Sequence, residues 1–357
     1  MKKYKDLSVF ARTNIKCYGI VILALVILYP LQSAGLISHS ISGQLVPICT
    51  YVVMAISLNL TVGFLGELSL GHAGFMSVGA FSGIITAISL SEAVPSPALR
   101  LVISIIVGGL FAGVAGLIIG IPVLRLKGDY LAIVTLAFGE IIKNIINCLY
   151  VGIDEAGLHF SMKSDAALNL SDAGRVIMKG PQGAVGITRT ATFLSGVLLI
   201  IFALFIVLNL VNSKTGRAVT AIRDNRIAAE SVGIGITRYK LTAFIISAML
   251  AGMAGALYAQ NLSAVAATKF DFNTSILILV FVVLGGMGNI FGSIIAASLL
   301  YMLPELLRGL ADYRMLIYAI ILIFVMIATN GTRSKQIIAK IKSGLGTRKS
   351  KGEGAEL

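Results

Sequence analysis

The stretch TSILILVFVVLGGMGNIFGSIIAASLLYML, Thr274 to Leu303, runs for thirty residues without a charge. A helix crosses the hydrocarbon core of a bilayer with about 20 apolar residues, so this run is too long for one crossing. Gly285, Gly286, Gly288 and Asn289 interrupt it near its middle. Glycines loosen a helix, and loosened backbone at membrane depth is tolerated only where protein covers it or a cavity receives it. The stretch therefore predicts two short or tilted crossings joined by GGMGN.

Working outward, the same length rule places further spans at 17–37, 45–63, 70–90, 99–122, 130–150, 191–212, 241–262 and 313–330. With two crossings in 274–303 the total is ten, and both termini fall on the cytoplasmic side. Charge supports that count. The segments predicted inside hold the basic N-terminal cluster, Arg125 and Lys127, six cations between Lys214 and Lys240, and seven from Arg333 to Lys351. Those predicted outside keep only Lys163, Arg175, Lys179, Arg189, Lys269, Arg308 and Arg314. A single crossing in 274–303 would put the basic tail outside, against the retention of lysine and arginine on the cytoplasmic face.

Composition agrees. Of 357 residues, 57% are hydrophobic and 13% charged, with a mean hydropathy of +0.93. This is the profile of an all-α, polytopic integral membrane protein embedded in a lipid bilayer. The net charge of +13 does not indicate nucleic acid, because the cations cluster between apolar blocks and are not interleaved with aromatics. The expected organisation is a cytoplasmic N-terminal segment (1–16), a transmembrane domain (17–330) and a basic cytoplasmic tail (331–357), the last disordered. The first apolar run reads as an uncleaved helix because it is long enough to span and lacks a clear small-residue cleavage site. Within the domain, 151–190 is expected as an external loop of mixed charge. Residues 213–240 are expected as a cytoplasmic segment carrying a short amphipathic helix broken at Gly233 and Gly235.

Enzymatic motifs are missing. The sequence has no HExxH, no Cys/His cluster and no nucleophile elbow, and Cys17, Cys49 and Cys148 form no CxxC pair. GLGTRKS in the tail has Arg348 before Lys349, where a phosphate-binding loop needs glycine. The chain is expected to bind no cofactor or metal and not to hydrolyse ATP by itself.

Among polar groups in the spans, Glu140 and Lys143 lie three apart and share a helix face. Intramembrane ionisable residues are functional candidates, and the alternative is a neutralised pair that orients its helix. Asp129 marks the start of that helix, where a carboxylate complements the N-terminus. Ser104, Gly108, Ala112, Gly116 and Gly120, and likewise Ser247, Ala251, Gly255 and Ala259, recur at intervals of four. Such stripes read as helix-packing seams and imply a dense bundle with a partner surface. The segment ELSLGHAGFMSVGAF, Glu67–Phe81, admits two readings. Either Gly71 and Gly74 loosen a helix starting near Ser69 so that it faces a path, or Gly71, Gly74, Gly79 and Gly83 form another seam around a satisfied His72. The residues alone favour the seam.

Six motifs follow one another in order: LSLGHAGFMSVGAF, LKGDYLAIVTLAFGEII, KGPQG, GRAVTAIRDNRIAAESVGIGITRYKLTAFIISAMLAGMAGALYA, VVLGGMGNIFGSIIAA and YMLPELLRGLADYRMLIYAIIL. Together, over about Val52 to Thr329, they resemble the branched-chain amino acid ABC transporter permease family, of the LivM type. The resemblance implies import of leucine, isoleucine or valine, with urea or short amides as the alternative cargo and a secondary transporter as the rival mechanism. It implies as partners a second, LivH-like permease, two cytoplasmic ABC ATPase subunits that bind ATP and magnesium, and an external amino-acid-binding protein. It implies that 213–240 docks on an ATPase through Arg223, Arg226, Ala228, Ala229, Glu230, Gly233 and Arg238, the arginines at the rim. Ile227 stands where such permeases often carry Glu. Path candidates are Ser69, Gly71, His72, Gly74, Glu140, Gly285, Gly286, Gly288 and Asn289. Glu67, at the cytoplasmic mouth, departs from the family pattern and is expected to be solvated. The external loop is longer than the family pattern, and IATNGT lacks an Arg-Pro ending.

Overall fold

The computed structural model describes residues 9–307 except 37, 127, 156, 172 and 173, together with 313, 316, 317, 319, 320, 322 and 323. The bundle below is the compact unit ending at Tyr301; a separate unit begins at Met302. The spans predicted at 17–37, 45–63 and 70–90 become α1 (Val9–Ser33), α2 (His39–Asn59) and α3 (His72–Ser89). α2 is extended by a π-helical turn, Leu60–Leu65. Those at 99–122, 130–150, 191–212 and 241–262 become α4 (Pro97–Val123), α5 (Asp129–Asn147), α6 (Phe193–Asn212) and α9 (Ile236–Ala259). Eight helices among the described residues are long and apolar enough to cross a membrane. The span expected at 313–330 and the tail lie largely or wholly outside the described residues.

The GGMGN stretch breaks the apolar run into α10 (Phe272–Gly285) and α11 (Ile290–Leu306), as its glycines require. Gly286 (φ 94°) and Gly288 (φ 80°) adopt left-handed backbone that a side chain would strain. Across the turn, a Cβ on Gly285 would lie 2.5 Å from the Ser293 amide, so the two helices leave the turn backbone to backbone.

α9 is the axis of the bundle and packs against α2, α3 and α4. Burial sorts the helices: 94% of the apolar window of α2 is enclosed against 11% for α1, so α2 is interior and α1 peripheral. The small-residue stripes explain the closeness. A Cβ on Gly108 of α4 would lie 2.8 Å from the Gly79 carbonyl oxygen of α3 and 2.9 Å from Ala256 Cβ of α9. Gly116 faces Ala248, Gly83 faces Ala256, and Gly255 abuts the Met76 carbonyl. Close backbone approach gains dispersion contacts that larger side chains would prevent. The seams of α4 and α9 thus meet each other and α3 within one chain. The reading of these stripes as packing seams holds.

Residues 151–190, expected as a loop, contain strands. β1 (Tyr150–Asp154), β2 (Gly157–Ser161), β3 (Arg175–Lys179) and β4 (Ala184–Val185) join β5 (Ala264–Val265) in an antiparallel sheet of order β2-β1-β3-β4-β5. Burial falls on adjacent pairs, Val151 with Gly152 in β1 and Ile177 with Met178 in β3, where a bulge interrupts the register of the two strands. Ala184 pairs with Val265, so the connection before α6 is tied to the one after α9.

Candidate functional site

The end of the bundle opposite the sheet carries two short helices, α7 (Lys214–Asp224) and α8 (Arg226–Ser231). The expected single helix is therefore two. The break falls first at Asn225, whose extended backbone ends α7 and whose Oδ1 accepts the Ala228 amide to start α8. Ser213 caps α7 in the same way. Gly233, with φ 82°, then terminates α8, and α9 begins at Ile236. Ile222, Ala229 and Ile236 form a small apolar core that holds α7, α8 and the start of α9 together, with Ile234 and Tyr239 against it. Ala229 is consequently structural here, whereas Arg226, Ala228, Glu230, Gly233 and Arg238 are exposed. Ile227 and Val232, 82% and 74% exposed, add an apolar knob to that surface.

Arg223 is exposed, yet it is more than a solvated rim residue. Its guanidinium pairs with Asp224 and turns inward, Nη1 donating to the Gly63 carbonyl at 2.9 Å. Its stem covers Gly66, whose added Cβ would lie 2.6 Å from Arg223 Cγ. Glu67 is likewise not solvated: it pairs with Lys240 of α9, the two side chains 15% and 7% exposed. A buried carboxylate without a cation would cost several kcal/mol, roughly, so the pairing follows from the burial.

From there the chain re-enters the bundle without helical winding. Gly66, with φ 77°, closes the π turn, and α3 starts only at His72. The His72 imidazole shares a 2.7 Å hydrogen bond with the Ser57 hydroxyl, and Ser57 lies eight residues before Leu65. At 1.5 Å per residue, α3 therefore begins about 12 Å inside the end of α2. α10 also begins inside the bundle, because the Ala73 amide donates to Ser275 Oγ in its first turn. Leu70 N–H is taken by Thr135 Oγ1 of α5, and Asp271 caps the Thr274 amide of α10. Irregular backbone at this depth survives because protein hydroxyls replace the missing helix partners. The Ser69 hydroxyl is buried with no hydrogen-bond partner among the described residues.

Of the path candidates, His72 is enclosed and satisfied within the chain, while Gly71 abuts Thr135 and Gly74 approaches Gly139. Glu140 does pair with Lys143, and it lines a shallow cleft with Leu70, Gly74, Phe270, Asp271 and Ser275. The cleft thus lies where the starts of α3 and α10 meet α5. Gly288 N–H donates to Asn59 Oδ1 at 2.8 Å, while Asn59 Nδ2 donates to Ser293. Asn289 is exposed, its Oδ1 accepting from Gly292 at 3.3 Å across the turn. Asn59, Thr135, Lys240 and Asp271 belong to these networks and were not among the expected site residues. Only their polarity inside apolar runs signals them.

The description "Branched-chain amino acid transport system / permease component" belongs to the family model that matches residues 40–326. The chain is 35% identical over 303 residues to the high-affinity branched-chain amino acid transport system permease protein LivM of Escherichia coli. That match takes in 78% of this chain and 66% of the relative. It is 35% identical over 300 residues to the protein of the same name from Salmonella typhimurium, with the same coverage. Over 293 residues it is 24% identical to the probable LivM of Methanocaldococcus jannaschii, covering 74% of this chain and 79% of that one. The matched region thus spans just under two-thirds of the two bacterial relatives. No solved structure matches the chain. With a family model spanning most of its length, the chain belongs to the permease-component family of branched-chain amino acid transport systems.

Proposed function

We propose that this chain is the membrane-spanning permease subunit of an ATP-binding-cassette importer that carries branched-chain amino acids across the bacterial cytoplasmic membrane. The observation that carries the reading is the α7–α8 unit. It consists of two capped helices outside the spans, held by a three-residue core, with Ile227, Ala228 and Val232 exposed among cations. A merely solvated basic loop would need neither caps nor an exposed apolar knob. Retention of cations on the cytoplasmic face puts this end inside and the sheet outside, with both termini cytoplasmic. An ATPase subunit then docks on α7–α8, a second permease completes the path, and an external binding protein delivers the amino acid at the sheet end. Nucleotide and magnesium belong to the ATPase subunits, and this chain works as a transport subunit, not an enzyme. A cargo path beside Glu140 must open first, because the depression there, lined by apolar Leu70 and Phe270, has no room for an amino acid in this conformation.

The test is purification of the tagged chain from native membranes in mild detergent, followed by reconstitution with whatever co-purifies and measurement of ATP-dependent leucine uptake. Stoichiometric ATPase subunits and ATP-dependent uptake support the reading. Replacing Ala228 by Tyr is expected to lower ATPase co-purification and uptake at least about tenfold while leaving the chain folded, since Ala228 is exposed. Uptake without nucleotide refutes the proposal in favour of a secondary transporter, and competition by urea or short amides but not leucine reassigns the cargo.

A further inference from the structure

Arg223 belongs to the unit that faces outward for docking, yet besides pairing with Asp224 its guanidinium reaches the backbone of the re-entrant connection between α2 and α3. The geometry is specific. Arg223 Nη1 holds the Gly63 carbonyl, and its methylenes cover Gly66. One residue further, Glu67 is held by Lys240 from the first turns of α9. Three residues on, the same backbone is held by α5 through Leu70 and Thr135, then by α2 through His72 and Ser57 and by α10 through Ala73 and Ser275. Between these two sets of attachments Leu68–Leu70 is not helical, while the Glu67 amide still closes the π turn on Thr61 and the Gly71 carbonyl accepts from Gly74 at the start of α3. A non-helical tether of this length, anchored at both ends, transfers displacement without first melting a helix. The π turn beside it is the least regular part of α2. Gly63 also abuts Asn59 and Gly288, so the α10–α11 turn shares the same anchor.

We propose that Arg223 is the positioning residue that couples α7–α8 to the starts of α3 and α10, with Glu67–Gly71 as the tether. Movement of α7 on an ATPase shifts Gly63 and Gly66 through the guanidinium, and the tether carries that shift to His72 and Ala73 about 12 Å deeper in the bundle. This rests on the importer reading for its consequence in transport, but the link between Arg223 and the tether is a property of the chain alone.

Two measurements separate these levels. In vesicles holding the complete importer, leucine uptake and ATP hydrolysis are read together for wild type, Arg223→Ala, Arg223→Lys and Gly66→Ala. Hydrogen exchange of the amides of residues 66–71 is read on the purified chain in detergent. Arg223→Ala should leave ATPase subunits bound while leucine imported per ATP falls about tenfold, the scale set by one lost charge-assisted hydrogen bond. Arg223→Lys, which keeps a cation and one donor, should recover part of the ratio, and Gly66→Ala should mimic Arg223→Ala because its Cβ displaces the arginine stem. Exchange at 66–71 should rise about tenfold in Arg223→Ala, with α4 unchanged. An unchanged ratio of import to hydrolysis, or loss of ATPase binding in Arg223→Ala, overturns the coupling role. If the wild-type chain transports without ATPase subunits, the importer reading falls on that result, and unaltered exchange at 66–71 in Arg223→Ala would independently overturn the link.

Discussion

Gly108 stands where three helices touch, and replacing it by alanine measures how tightly the seams are closed. The added methyl would lie 2.8 Å from the Gly79 carbonyl oxygen, 2.9 Å from Ala256 Cβ and 3.4 Å from the Gly252 carbonyl oxygen. Carbon atoms sit comfortably at about 3.5–4.0 Å, so α4 must part from α9 by roughly 0.6–1 Å. A gap of that size forfeits about a quarter to a half of each dispersion contact along the seam, and overpacking costs about 1–3 kcal/mol. Against this, alanine gains about 1 kcal/mol of helix propensity over glycine. The close contact is with backbone and with another Cβ, neither of which can rotate away, so the upper part of the overpacking range applies. The net loss should be about 2 kcal/mol. The assay is unfolding by dodecyl sulfate in dodecyl maltoside micelles, followed by far-ultraviolet circular dichroism. The control is Gly19→Ala in α1, whose Cβ meets nothing within 4 Å and which should be neutral or slightly stabilising. Equal stability of Gly108→Ala and Gly19→Ala would refute the claim that α3, α4 and α9 are packed to backbone contact.

Asn59→Ala removes the acceptor of the Gly288 amide and the donor to Ser293. It should cost about 2–3 kcal/mol and raise hydrogen exchange through the α10–α11 turn, leaving α4 and α6 protected. Lys240→Met strands Glu67 in a nearly buried site and should destabilise by about 3–5 kcal/mol, whereas the double variant Lys240→Met with Glu67→Leu should recover most of that in the same unfolding assay. A double variant no more stable than the single would mean that the Glu67 charge is not what makes the single variant costly.

Much of the bundle is legible in the chain. Apolar runs between charged segments bound α4, α6 and α9 to within a few residues, because length and hydropathy are what a bilayer selects. GGMGN marks the turn between α10 and α11, since positive φ is written directly as glycine. The stripes on α4 and α9 announce close packing. They do not announce the partner, because a small-residue face suits any helix that approaches it. The sheet escaped notice because its strands are five residues or fewer, and the pairing of Ala184 with Val265 joins loops on either side of four helices, α6 to α9. The re-entrant connection escaped for a different reason. Hydropathy averages over Thr61–Ala73 as though it were ordinary span ends, while what distinguishes it is Lys240 meeting Glu67 and Arg223 meeting Gly63, pairs 173 and 160 positions apart. A solvated Glu67 was a reasonable reading of its neighbours in sequence and a wrong one of its neighbours in space.

The central position of α9 bears on how the molecule is made. The ribosome completes α2, α3 and α4 first, and more than a hundred residues separate Val123 from Ile236. At about 5–20 residues per second, the glycine faces of α3 and α4 wait on the order of 10 s for the helix that fills them. During that interval α3 and α4 can cover each other, but the parts of their faces that α9 will fill meet lipid or the insertion machinery, and α9 must then be threaded between helices already in the bilayer. Ala264 and Val265 leave the ribosome immediately after α9 and close the sheet on Ala184 and Val185. Completion of the sheet therefore marks that α9 has arrived.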